Sequence, residues 1–120
     1  MVINPERLQE VSMGDDEFLR ELIDLYLSDA PTQMQALERA VSSQDTSAVS
    51  VAAHKLKGSC GNVGAEGLVT LCQKLEASGK AGRIEELPRL FHEASQEFEK
   101  VSETLQGVMA GTPPELKQPR

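Results

Sequence analysis

The 120-residue sequence predicts an all-α fold, an antiparallel up-down four-helix bundle with one short extra helix at its N-terminus. Three observations lead there. Ile84, Leu87, Phe91, Ala94, Phe98, Val101, Leu105 and Val108 alternate steps of three and four without a break, the spacing of a bundle seam. No stretch alternates apolar and polar residues in the manner of a strand, and no segment repeats. The composition is 39% hydrophobic but only 3% aromatic, with no Trp, which makes an aliphatic core suited to helix packing in one domain.

Asn4 followed by Pro5 reads as a cap and a first-turn proline, opening a short helix that ends near Met13-Gly14. Asp15, Asp16 and Glu17 then place negative charge where the macrodipole of a second helix favours it, and Phe18, Leu19, Leu22, Ile23 and Tyr26 form its apolar face. Asp29-Ala30-Pro31 is expected to close that helix and open the next, because the residue before a proline avoids the α region. Met34, Leu37, Ala40 and Val41 are the inward residues after it, and Ser42 to Asp45 the turn that follows. Asp45 or Thr46 caps the helix carrying His54, which runs to Asn62-Val63-Gly64. Ala65 to about Gly79 is its antiparallel return, with Leu68, Leu71, Cys72 and Leu75 inward and a turn bracketed by Gly79 and Gly82. Pro88 marks a late start or a kink near the beginning of the last helix. The bundle is assigned to residues 1–108, and 109–120, rich in Gly, Pro and polar residues, to a disordered tail.

Charge and composition exclude several function classes. The net charge of −7 argues against nucleic acid, whose binders carry a basic stripe. No apolar run is long enough for a membrane span, and the N-terminus lacks the layout of a signal peptide, so a cytoplasmic, monomeric protein is expected. Charge is unevenly spread: residues 1–38 hold nine acids and two bases, 39–80 three and five, and 81–120 seven and five. The only net-positive segment is the one containing His54, and it favours an anion there. Cys60 and Cys72 fall on apolar faces and read as buried, reduced thiols.

His54 is the centre of the functional reading. Lys57 and Gly58 follow it at i+3 and i+4 on one helix face, with Gly61 at i+7 on the same stripe. Val49, Ala52, Leu56, Cys60 and Val63 define a different, apolar face, and His54 lies about 160° around from Leu56, so the imidazole looks outward. A helical glycine costs about 1 kcal/mol relative to alanine, so two glycines on an exposed stripe suggest that something must approach the backbone there. If the hairpin reverses near residue 65, Glu76 is level with His54 and Gln73 with Lys57.

An exposed imidazole serves as metal ligand, general base, protonation switch or group-carrying nucleophile. Metal binding lacks further ligands at workable spacing, and hydrolysis lacks a pocket with an oxyanion hole. Phosphoryl carriage uses every neighbour: the ring attacks phosphorus, Lys57 places positive charge beside the phosphate, and the glycines admit a partner's active site. Glu76, accepting from the other ring nitrogen, would fix the tautomer. Taken alone, the His-Lys pair also fits an ordinary solvated face, and Gly58 a helix-packing contact. His92 on the last helix, with no lysine and glycine turn after it, reads as a surface or structural residue, and Lys55 and Lys74 as solvated charges.

The run A-H-K-L-K-G-S-C-G-N-V-G-A-E-G-L-V-T-L-C-Q-K-L-E, Ala53 to Glu76, resembles the signature of the histidine-containing phosphotransfer (HPt) domain family, in which A-H-x-L-K-G-S is followed by G-A, then L-C, then L-E. Gly14 to Pro31 is similar to that family's leading helices. The resemblance implies the same bundle and a phosphorelay intermediate that takes a phosphoryl group from one receiver-domain aspartate and passes it to another. It carries the phosphorylated histidine to His54, the phosphate-side lysine to Lys57, the close-approach glycine to Gly58 and the hydrogen-bonding Gln or Glu to Glu76, with Gly61 added as a partner-side position. Gly61-Asn62 is a mild departure in a variable part of the motif. No nucleotide or kinase motif is present, so a phosphocarrier rather than an enzyme is expected, without a cofactor of its own. Mg²⁺ is expected to come with the partner, a receiver domain of a response regulator or hybrid kinase, docking over His54 and the apolar rim of the second helix; Asp15 and Asp16 read first as helix-start charges and only second as charges that orient the partner. Met1 and the tail suit a free-standing protein. The alternative is an interaction module of the same fold that binds receivers without carrying phosphate.

Overall fold

The computed structural model describes residues 2–111. They form α1 (Pro5–Ser12), α2 (Asp16–Ser42), α3 (Thr46–Asn62), α4 (Glu66–Ala81), a short 3₁₀ turn (Ile84–Glu86) and α5 (Leu87–Ala110), in an elongated body of 49 × 21 × 21 Å. Each long helix packs on the next in sequence and α5 closes on α2, so α2 to α5 make the expected four-helix bundle.

Three of the helix starts are written in the sequence as caps. The side chains of Asn4, Asp15 and Asp45 each accept backbone N–H groups of the first turn that they precede. The start of α4 has no side-chain cap. There the reversal itself supplies the order, with the Ala65 N–H donating to the Cys60 carbonyl at 3.0 Å and Gly64 in the left-handed region at φ +72. The Asn4 N–H donates to the Gly64 carbonyl at 2.9 Å, so the strand of chain leading into α1 lies across this turn. A Cβ at Gly64 would stand 2.8 Å from the Asn4 carbonyl oxygen, which makes glycine obligatory there on two counts.

The helix break expected at Asp29-Ala30-Pro31 does not occur, and α2 runs through Pro31 for 27 residues. Pro31 is exposed, while Tyr26, Ala30, Met34, Leu37 and Ala40 form one buried stripe on either side of it. A mid-helix proline costs about 3 kcal/mol in a lost hydrogen bond and a clash. Burying a Met or Leu side chain returns about 1.5–3 kcal/mol each, so Met34 and Leu37, kept on the stripe of Tyr26, outweigh the proline. With α2 unbroken, the long helices number four.

Two further boundaries differ from expectation. Gly79 does not bracket a turn but lies buried inside α4, where a Cβ would sit 2.8 Å from the Thr46 carbonyl oxygen and 3.0 Å from the Ser50 nitrogen. There the backbones of α3 and α4 come too close to admit a side chain. Pro88 occupies the first turn of α5, which therefore starts at Leu87, and Ile84 falls in the exposed 3₁₀ turn. Leu90 joins Leu87, Ala94, Val101, Leu105 and Val108 in the core, while Phe91 and Phe98 are half-buried. The helix continues through Met109 and Ala110, two residues past the expected bundle boundary, and the rest of the tail, 112–120, lies outside the described residues. No described helix is long and apolar enough to cross a membrane.

Candidate functional site

Helix α3 is held in rotation by Val49, Ala53, Leu56 and Cys60, all fully buried. That seating turns the opposite stripe, Ser47, Val51, His54, Gly58 and Gly61, toward solvent, with Gly61 half-buried at its end. The His54 side chain is 67% exposed. Gly58 has nothing within 4 Å of where a Cβ would be, and neither has Gly61. Among the described residues, then, no packing contact accounts for Gly58: the backbone on the C-terminal side of the imidazole is bare and open. At Gly61 the carbonyl accepts from Arg7 Nε at 3.5 Å, so α1 borders that end of the stripe.

Across the hairpin, Glu76 stands opposite His54 as the reversal at Gly64 predicts. Its Oε2 lies 3.1 Å from His54 Nδ1 and 3.3 Å from Lys80 Nζ, and its Oε1 takes a hydrogen bond from Lys57 Nζ at 2.7 Å. Lys57 thus reaches Glu76 instead of Gln73, the residue level with it. The Glu76 side chain is only 12% exposed and the Lys57 side chain 28%. The Lys57 ammonium first, opposed by burial and helped by Lys80 and His54, holds the Glu76 carboxyl down at about 2. Glu76 is therefore ionised at neutral pH and can only accept, so the proton of this contact belongs to Nδ1. In the neutral ring Nε2 then carries the lone pair. The arrangement offers an outward nucleophilic nitrogen with its tautomer fixed from behind and an ammonium beside it.

Beneath the site, Cys60 and Cys72 are buried free thiols. The Tyr26 hydroxyl lies 4.0 Å from Cys60 Sγ. Burial and the neighbouring thiol push the Tyr26 phenol up; the Cys60 contact and then burial push the Cys72 thiol up. Both groups stay protonated and serve as core. His92, Lys55 and Lys74 are exposed, and His92 is on α5, outside the cluster on α3 and α4. Asp15 caps α2 and Asp16 sits in its first turn. Among the described residues no three His, Cys, Asp or Glu side chains gather in a way able to hold a metal ion.

Two features of the site have little or no signal in the sequence. Lys80 is one; its only sequence signal is the i, i+4 spacing from Glu76. The other is the hydrogen bond from Ser59 Oγ to Gln33 Oε1 at 2.9 Å, which ties α2 to α3 beside Gly58 and has no short-range signal. Beyond it a shallow cleft of about 60 Å³ is lined by Leu22, Leu25, Tyr26, Asp29, Ser59, Asn62 and Val63, with Leu25 exposed.

Comparisons with known proteins agree on one family. The family model described as Hpt domain matches residues 21–107. The chain is 29% identical over 98 residues to a phosphorelay intermediate protein of Dictyostelium discoideum, covering 82% of this chain and 39% of that one. It is 28% identical over 98 residues to histidine-containing phosphotransfer protein 2 of Arabidopsis thaliana, covering 79% and 63%. The chain thus spans less than two thirds of the length of either relative. Histidine-containing phosphotransfer protein B of Pseudomonas aeruginosa PAO1 has the same fold, with a TM-score of 0.86 at 23% identity over 93% of this chain and 97% of that one.

Proposed function

The chain belongs to the Hpt domain family, and on that premise we propose that it is a phosphorelay intermediate carrying a phosphoryl group on His54 between aspartates of receiver domains. The observation that carries this reading is the Glu76 carboxylate 3.1 Å from Nδ1, which leaves Nε2 as the outward nucleophile. In the transfer, the Nε2 lone pair forms a P–N bond while the acyl phosphate P–O bond breaks and its electron pair returns to the partner's aspartate. The proton on Nδ1 stays, and the positive charge that the ring gains is met by Glu76. Lys57, one turn from His54 with Nζ 2.7 Å from Glu76, turns to the phosphoryl oxygens. Gly58 and Gly61, with open space at their Cβ positions, admit the partner's backbone.

Mg²⁺ and the acid-base groups of the transfer come from the receiver domain, and this chain has no catalytic machinery of its own. It works as a monomer in the cytoplasm, where the exposed Leu25 and the cleft beside it give the docking partner apolar contact. Incubation with a phosphorylated receiver domain and Mg²⁺ tests the proposal. Label on this chain is expected to be acid-labile, alkali-stable and absent from His54→Gln. Lys57→Ala is expected to slow transfer without loss of helical content. Binding of the receiver with no transfer of label would assign the chain to the non-carrying interaction modules instead.

A further inference from the structure

Glu76 has two ammonium partners besides the imidazole. Lys57 and His54 approach it from α3, and Lys80, one turn further along α4, approaches the Oε2 atom that also faces His54. The thiol of Cys72 lies below it on α4 and is neutral. Among the described residues no charged side chain of α1, α2 or α5 is paired with Glu76. The two lysines differ in exposure: Lys57 is 28% exposed and Lys80 67%. Once Lys57 turns to a phosphoryl group, Glu76 loses its shortest partner, yet at that moment the carboxylate must stay against Nδ1 to meet the charge on the ring.

We propose that Lys80 is a positioning residue for phosphoryl transfer, its ammonium holding the Glu76 carboxylate against Nδ1 of His54 while Lys57 is engaged with the phosphoryl oxygens. This rests on the proposed function. Lys80 touches neither phosphate nor the attacking nitrogen; it acts through Oε2 of Glu76. Its i, i+4 relation to Glu76, acid first and base second, is the favourable order on a helix, so the pair forms without help from α3. An exposed pair acting through a neighbour has a modest effect, about two- to fivefold in rate.

Lys80→Gln, which keeps most of the stem, and Lys80→Arg, which keeps the charge, test the role. Transfer from a phosphorylated receiver domain with Mg²⁺ is followed across pH, and the Glu76 carboxyl carbon is titrated by NMR in the phosphate-free protein. Lys80→Gln is expected to slow transfer about two- to fivefold and to move the Glu76 titration to higher pH, with Lys80→Arg restoring both. In a Glu76→Gln background, Lys80→Gln is expected to change nothing further. An equal slowing in both backgrounds would show that Lys80 contacts the partner directly, and would overturn the role, as would an unshifted Glu76 titration. A wild-type chain that accepts no label overturns the proposed function and this role with it; a chain that accepts label at the same rate with and without Lys80 overturns this role alone.

Discussion

Gly58→Ala separates a glycine kept for a partner from one kept for the fold. Gly58 lies in the interior of α3 with ordinary helical backbone, and a Cβ there meets no atom within 4 Å. Alanine should therefore stabilise the isolated protein by the helix-propensity difference, about 0.5–1 kcal/mol. For a chain of 120 residues that is a rise in Tm of about 2–4 °C. On the proposed function, transfer from a phosphorylated receiver should fall at least about tenfold, because the new methyl would stand where the partner's backbone is proposed to enter. Gly79→Ala is the control for the opposite case. Its Cβ would meet the Thr46 carbonyl oxygen at 2.8 Å and the Ser50 nitrogen at 3.0 Å, backbone atoms that must move, and it should lose about 1–3 kcal/mol in urea unfolding. A Gly58→Ala protein that is less stable than wild type, or that transfers phosphate at the wild-type rate, would refute the reasoning.

Two further outcomes follow from the same geometry. Glu76 titrates at about 2 in the folded protein against an ordinary 4.5, so its contribution to stability is present above pH 4.5 and is lost as pH falls toward 2. The stability difference between wild type and Glu76→Gln, measured by urea unfolding, should therefore shrink across that window; a difference that does not vary with pH would mean the ion pairs to Lys57 and Lys80 do not form in solution. Pro31→Ala restores the N–H that α2 lacks opposite the Leu27 carbonyl, and should stabilise the protein by about 1–2 kcal/mol after allowance for the freer unfolded chain. A loss of stability there would show that Pro31 shapes the packing of α2.

The sequence was most readable where structure is decided locally. The cap at Asn4, the acidic start of α2 at Asp15, the start of α3 at Asp45 or Thr46, the reversal at Gly64 and the outward turn of His54 each follow from a few neighbouring residues. It misled where tertiary packing overrode a local rule. Pro31 has the chemistry of a helix boundary, but the buried stripe from Tyr26 to Ala40 depends on what α3 and α5 place against it. Gly79 illustrates the same limit from the other side: beside Gly82 it looks like turn punctuation, and only the approach of Thr46 and Ser50 from another helix shows why a side chain is excluded.

The candidate site divides along the same line. His54, Lys57 and Gly58 share one helix, so their common face was legible from spacing, and Glu76 joined them because a hairpin with a known reversal point converts sequence number into height. Height does not say where a long side chain goes. Lys57 is level with Gln73, yet its ammonium reaches the Glu76 carboxylate, which is only 12% exposed and needs a charge beside it. Lys80 is hard to read for a related reason, since an exposed lysine at the end of a helix looks like a solvated charge until the carboxylate one turn back proves to be facing an imidazole. The two glycines show the reverse limit. Among the described residues nothing occupies the space they leave, so no contact within the bundle accounts for them, and their proposed role waits on the partner that transfer assays supply.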